Sequence, residues 1–234
     1  MSYGEYAERD FFAIDAALDD RVAFLRRTYA HLFGAVVLFI GLCAGILLTP
    51  LGEALFNVMM NVSWFLVLLA FMGAGYAARS MARSGASEGV QYIGLGLYVV
   101  AEAIIFTPLL YAAQTFQGPD IILQAGTITL TIFAGLTAIV MLTRTDFSFL
   151  RSALMLGGFA ALALIAASLI FGFSLGILFC VGMVVLMCGY ILYDTSNVLH
   201  HLRTDQHVSA ALELFASLAT LFWYVLWLMS YLRR

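Results

Sequence analysis

Asp194 is a carboxylate placed where water should be scarce. It stands in Gly189-Tyr190-Ile191-Leu192-Tyr193-Asp194-Thr195-Ser196-Asn197-Val198-Leu199-His200-His201, after a long and almost uncharged run and just before a His pair that should meet the aqueous boundary. An acid inside an apolar span is by default a functional candidate, because leaving it there without a partner is costly. The plainer reading is a structural carboxylate, hydrogen-bonded to a neighbouring helix. On a helix Asp194, Asn197 and His201 fall at i, i+3 and i+7 and share one face, with Thr195, Ser196 and His200 beside them. The helical rise puts Asp194 about 9 Å deeper than His200, so it could meet protons or cations from that end.

Partners for such an acid are few. Glu213, Ser217 and Thr220 form a polar stripe at i, i+4 and i+7 on a segment otherwise made of Leu, Phe, Trp and Ala. If that stripe faces Asp194, Ser217 lies at its depth and Glu213 about one turn, roughly 6 Å, nearer the boundary. The two acids would then titrate as a pair, unless Glu213 reaches out to water instead. Glu102 is a second acid in an apolar run, six residues before Pro108, whose missing N–H should kink a helix and open a polar niche. It either lines an ion or proton path or pairs with Arg79 or a hydroxyl. Arg79 could latch onto Asp194 or simply anchor its span at the boundary.

Other chemistries find no support. Gly85-Ala86-Ser87-Glu88-Gly89 fits the G-x-S-x-G pattern of hydrolases, but no strand precedes it, so the elbow that makes the pattern meaningful has nothing to form from. There is no HExxH, and no Gly-x-Gly-Asp to supply the second aspartate of an intramembrane aspartyl protease. Cys43, Cys180 and Cys188 lie in apolar runs without C-x-x-C spacing and read as small buried hydrophobes. His31 reads as an interfacial histidine. No enzyme, cofactor or resident metal is expected. At most a weak, transient calcium site could form from Asp194, Glu213, Asn197 and water, since calcium takes oxygen ligands.

The elements that must position these groups follow from composition. Of 234 residues 63% are hydrophobic and 11% charged, with a mean hydropathy of +0.99, far from a soluble balance. A net charge of -3 offers no basic patch, which excludes nucleic acid. Apolar runs at about 30 to 49, 62 to 79, 89 to 113, 121 to 142, 152 to 171, 173 to 199 and 211 to 232 predict seven transmembrane helices in a bundle, since about twenty helical residues cross a bilayer core. The cations, all arginine, alternate in their favour. Every one except Arg233 and Arg234 falls on the side of the amino terminus, which predicts a cytoplasmic N-terminus and an outer C-terminus.

Residues 1 to 28 lack the layout of a secretory signal and read as retained. Phe11, Ile14, Leu18, Val22 and Leu25 recur at three and four, predicting a separate amphipathic segment that lies on the membrane or binds a partner, with the transmembrane domain at 29 to 234. Gly41 with Gly45, and Gly172 with Gly176, are small-xxx-small pairs that would let helices approach closely.

Four stretches together resemble the Bax inhibitor-1 family, also called the transmembrane Bax inhibitor motif family, in its bacterial YccA-like branch. They are Tyr193-Asp194-Thr195-Ser196-Asn197-Val198-Leu199-His200, Leu25-Arg26-Arg27-Thr28-Tyr29, Thr143-Arg144-Thr145-Asp146-Phe147-Ser148-Phe149-Leu150, and the Ala211 to Phe222 start of the last span. The resemblance implies an all-α bundle of seven helices, six around the last, in a bacterial cell membrane. It implies two activities. One is binding and restraint of an FtsH-type membrane ATP-dependent protease; the alternative is a pH-sensitive calcium leak governed by two aspartates on the last two spans. Asp194 matches the first of these acids. The second position holds Ser217, which departs from the pattern, and YccA-like members share that departure. The resemblance therefore favours the protease regulator, with Glu213 as the group that could replace the missing acid in the leak.

Overall fold

The computed structural model describes residues 12–83 and 87–233. The tip of the amino-terminal segment, including Phe11 and Arg9, lies outside them, as do Gly85 and Ala86 of the G-x-S-x-G match and Arg234. The described chain is helical: α1 Leu18–Leu47, α2 Pro50–Asn61, α3 Trp64–Arg83, α4 Glu88–Gln117, α5 Asp120–Thr143, a 3-10 turn Ser148–Leu150, α6 Arg151–Phe171, α7 Ile177–His200 and α8 His207–Leu232. All but α2 are long and apolar enough to cross a bilayer, seven candidate spans in the predicted order.

The element the sequence did not predict is α2. Its stretch is apolar, but with twelve residues it is too short to span. Pro50 starts it, where a missing N–H costs nothing. It packs across the ends of α1 and α4 at the end of the bundle away from most arginines.

The last helix occupies the centre. Helices α1, α3, α4, α5 and α7 all pack on α8, while α6 lies outside, against α7 and α3. The centre is shared, however. Like α8, α4 is more than half buried along its apolar window, and Phe39 of α1 meets Phe106 of α4 and Phe215 of α8 at ring separations of 5.1 and 5.8 Å. Such edge-to-face contacts let three helices interlock around bulky side chains. Pro108 is buried in α4 without ending it. Thr107 donates back to the Ala103 carbonyl at 3.0 Å, satisfying an acceptor in the turn the proline follows.

Close helix approach occurs at glycines other than those the spacing picked. A Cβ on Gly41, Gly45, Gly172 or Gly176 would meet nothing, whereas one on Gly94 would stand 2.7 Å from the Ala78 carbonyl oxygen. The spacing motif identifies small residues but not which face they turn to. Gly94 fixes α4 against α3. Gly172 serves instead as the left-handed residue, φ 72°, that ends α6, and Gly176 is extended just before α7.

The first helix runs unbroken through residue 28, the boundary expected between segment and span. Phe24 and Thr28 on it are buried, while Ile14, Leu18 and Val22 are exposed. Ahead of it the chain is laced to the α7–α8 loop: Phe12 bridges to Arg203, and the Ala13 N–H donates to the Leu202 carbonyl at 2.9 Å. Asp19 and Asp20 occupy the first turn, where acids suit the helix dipole.

Candidate functional site

Helix α7 delivers Asp194 inward, not to lipid, since Asp194, Thr195 and Ser196 are all buried. From α8 the Ser217 hydroxyl donates to the Asp194 carboxylate, and both side chains are 8% exposed. Ser217 thus lies at the depth of Asp194, as the stripe on α8 predicts. Among the described residues it is the donor that Asp194 has, so one hydroxyl compensates the burial of a carboxylate. Thr220, the next member of the stripe, donates to the Ala216 carbonyl of its own helix at 2.8 Å.

Glu213 does not complete a carboxylate pair by contact. Its carboxylate takes a 2.9 Å hydrogen-bonded ion pair from Arg83, with the side chains 19% and 62% exposed. It stays within electrostatic range of Asp194, as does Arg79. Arg79 and Arg83 sit one turn apart on α3 and take different tasks. The Arg79 guanidinium lies over the Tyr98 ring, 5.7 Å from its centre, and makes no ion pair among the described residues. Glu102, one turn along α4 from Tyr98, is 3% exposed, with Tyr98 and Arg79 as its polar neighbours. Arg79 is therefore suspended between two buried acids without closing on either.

Arg79, Glu102 and Ser217 border a cavity of about 540 Å³, lined also by Thr220, Tyr190 and Trp223 among mostly apolar neighbours. It lies between α3, α4, α6, α7 and α8. A second space of about 640 Å³, lined by Tyr76, Ser80, Arg83 and Tyr98, touches the first at Phe71 and Arg79.

Residues 21–234 match the family model described as "Inhibitor of apoptosis-promoting Bax1". The chain belongs to the Bax inhibitor-1 family. It is 32% identical over 229 residues to the "Bax inhibitor 1" of Schizosaccharomyces pombe, covering 94% of this chain and 80% of that one. It is 28% identical over 221 residues to "Protein lifeguard 4" of Mus musculus, with 90% and 86% covered. It is also 26% identical over 227 residues to the "Golgi anti-apoptotic protein" of vaccinia virus strain Lister, with 92% and 88% covered.

In this Bax inhibitor-1 family member the predicted α7 stripe splits at its end. The helix closes at His200 with His201 as its cap, and the His201 Nε2 turns to the α5–α6 loop, 3.1 Å from an Asp146 carboxylate oxygen. Asn197 is half-buried, and its carbonyl accepts the N–H groups of His201 and Leu202 as the helix ends. Among the described residues no three His, Cys, Asp or Glu side chains converge as a metal cage requires.

Asp146 is the group the sequence reading passed over. It accepts from the Ser148 N–H at 2.8 Å and from the Ser196 hydroxyl at 3.3 Å, while Ser196 in turn accepts the Phe147 N–H at 2.8 Å. The α5–α6 loop is thereby clasped to the end of α7. The backbone N–H of Ser148 holds the Asp146 carboxyl below its ordinary value, with the Ser148 hydroxyl and His201 adding to it against a contrary effect of burial. An Asp two residues before a helical turn is an Asx signal that spacing alone offered. Tyr98 gave no such signal, because an aromatic in an apolar run looks like core. His31 lies at this end of the bundle, its ring between the Arg27 carbonyl at 2.6 Å and the Tyr92 hydroxyl at 3.0 Å.

Proposed function

We propose that this Bax inhibitor-1 family protein is a non-enzymatic membrane protein that governs a cation leak, calcium being the permeant ion, with Asp194 as its pH-sensing acid. The observation that carries the reading is the buried contact of Asp194 with Ser217 beside a cavity that also reaches Glu102 and Arg79. Protonation of an acid that accepts one hydroxyl changes what holds α7 to α8, and an acid whose hydroxyl partner lines a cavity is suited to meet a passing cation. Glu213 acts through charge at a distance, held by Arg83. No second carboxylate touches Asp194 among the described residues, so the latch works through Ser217 and not through a proton shared by two acids.

The bilayer proposed is a bacterial cell membrane, with the amino terminus cytoplasmic and the carboxyl terminus outside, supported by the gathering of arginines at the α1-start end. The test is calcium flux from liposomes carrying the purified chain, across pH. Wild type should pass calcium in a pH-dependent way and Asp194→Asn should lose that dependence. Flux no greater than from empty liposomes at every pH would overturn the reading.

A specific surface favours a second reading, regulation of an FtsH-type membrane protease. Ile14, in the turn ahead of α1 and so off the predicted helical stripe, and Leu18 and Val22 on its first turns stand 45%, 74% and 55% exposed beside the loop that Phe12 and Ala13 grip. Co-purification with such a protease should then fail in Leu18→Glu/Val22→Glu and survive in Asp194→Asn. Equal recovery with both variants would exclude this surface as the contact.

A further inference from the structure

We propose that the paired cavities on α3 form a binding site for a single-chain anionic amphiphile drawn from the bilayer, its acyl tail in the apolar cavity and its carboxylate or phosphate head at Arg79 and Arg83. The proposal does not rest on ion conduction. It starts from the shape of the space: an apolar cavity of about 540 Å³ and a basic one of about 640 Å³ share Arg79 and Phe71. Each is within the range that holds a ligand of drug or lipid size.

The tail cavity has an open side. Helices α3 and α6 barely touch, and between them Met155, Phe159 and Leu162 line the cavity while remaining 50%, 67% and 44% exposed. On a membrane-spanning bundle that rim faces hydrocarbon, so an acyl chain can slide in without crossing water. Trp64, Trp223 and Phe106 form its inner wall, with Trp223 edge-on to Phe106 at 4.9 Å.

The head position is set by charge. Arg79 lies over the Tyr98 ring, has that tyrosine as a side-chain hydrogen-bond partner and forms no ion pair among the described residues, so its charge is not matched by a contacting carboxylate and its remaining donors suit an anion. One guanidinium nitrogen of Arg83 is held by Glu213 at 2.9 Å, but the side chain is 62% exposed and lines the basic cavity. Ser80 and the aromatic Tyr76 complete the mouth. The acids that oppose an anion are Glu102 and Asp194 on the inner side, both within electrostatic range of Arg79, and Glu213, whose charge is matched by its ion pair with Arg83. Glu102 and Asp194 set the polarity: the head belongs on the Arg83 side of Arg79, away from those two acids, where Glu213 is already neutralised by Arg83, and the tail runs along the apolar wall.

The test uses the full chain in nanodiscs of neutral phosphatidylcholine and quenching of Trp64 and Trp223 by a brominated fatty acid. Oleate and oleoyl lysophosphatidic acid compete in separate arms, which distinguishes a carboxylate from a phosphate head; oleylamine and monoolein supply a cationic and a neutral head on the same tail. Saturable quenching is expected, displaced by either anionic lipid at least about tenfold more effectively than by the other two. Arg79→Gln should weaken the anionic arms at least about tenfold and leave monoolein unchanged, Arg83→Gln should weaken them less, and Ala161→Phe should block every tail. Arg83, being largely exposed, can be replaced without threatening the fold, so the head assignment is testable even if Arg79→Gln fails to assemble. Quenching that does not saturate, oleylamine competing as well as oleate, or anionic binding indifferent to both arginine variants would overturn the proposal. Each readout is independent of calcium flux, so the two ideas fail separately.

Discussion

Replacing Ser217 by alanine isolates the contact on which the candidate site turns. Asp194 is 8% exposed and, among the described residues, accepts from that hydroxyl alone. The substitution removes a hydrogen bond to a charged acceptor and strands the acceptor where water has little access. Such a bond contributes about 1.5–3 kcal/mol, so Ser217→Ala should lower the unfolding free energy by about that amount. Ser217→Thr keeps the hydroxyl and should lose less. The assay is unfolding of the chain in mild detergent, with Ser217→Ala and Asp194→Asn measured singly and together. A neutral amide needs the hydroxyl less, so the double variant should fall short of the sum of the singles by about 1 kcal/mol or more. Additive losses, or a Ser217→Ala change within about 0.5 kcal/mol of wild type, would refute the claim that the hydroxyl sustains the buried acid.

Three further outcomes can be checked. Gly94→Ala should destabilise by about 1–3 kcal/mol in the same assay, because the added methyl would stand 2.7 Å from the Ala78 carbonyl, a backbone atom that cannot swing away. A double-variant cycle on Arg83 and Glu213 should give a coupling below about 1 kcal/mol, since Arg83 is 62% exposed and solvent screens the pair. The clasp of the α5–α6 loop should loosen only in acid. The Asp146 carboxyl is depressed from the ordinary 3.8, so its contribution is complete above that value and fades as pH falls through the lower folded one. Hydrogen exchange at the Phe147 and Ser148 amides should therefore accelerate, beyond its intrinsic pH trend, below about pH 4 and be raised across the whole range in Asp146→Ala.

Much of this was legible before any coordinates. A sequence that is 63% hydrophobic with seven apolar runs leaves helices as the solution, because the bilayer interior satisfies no backbone hydrogen bonds. The 3.6-residue period also sufficed to put Ser217 at the depth of Asp194, as depth along two antiparallel helices is simple arithmetic. It could not foresee α2, whose short apolar stretch resembles a loop until Pro50 is weighed as a helix start.

Composition and periodicity determined what crosses the membrane and how deep each polar group sits, since both depend only on residue type and rise per residue. Rotation of each helix about its axis, and hence partner choice, was decided by packing. That is why Glu213 went to Arg83 and not to Asp194, why His201 went to Asp146 past the end of α7, and why Gly94 and not Gly41 is the point of close approach. Those choices depend on which bulky side chains interlock at the centre, Phe39, Phe106 and Phe215 among them, and no single helix carries that information.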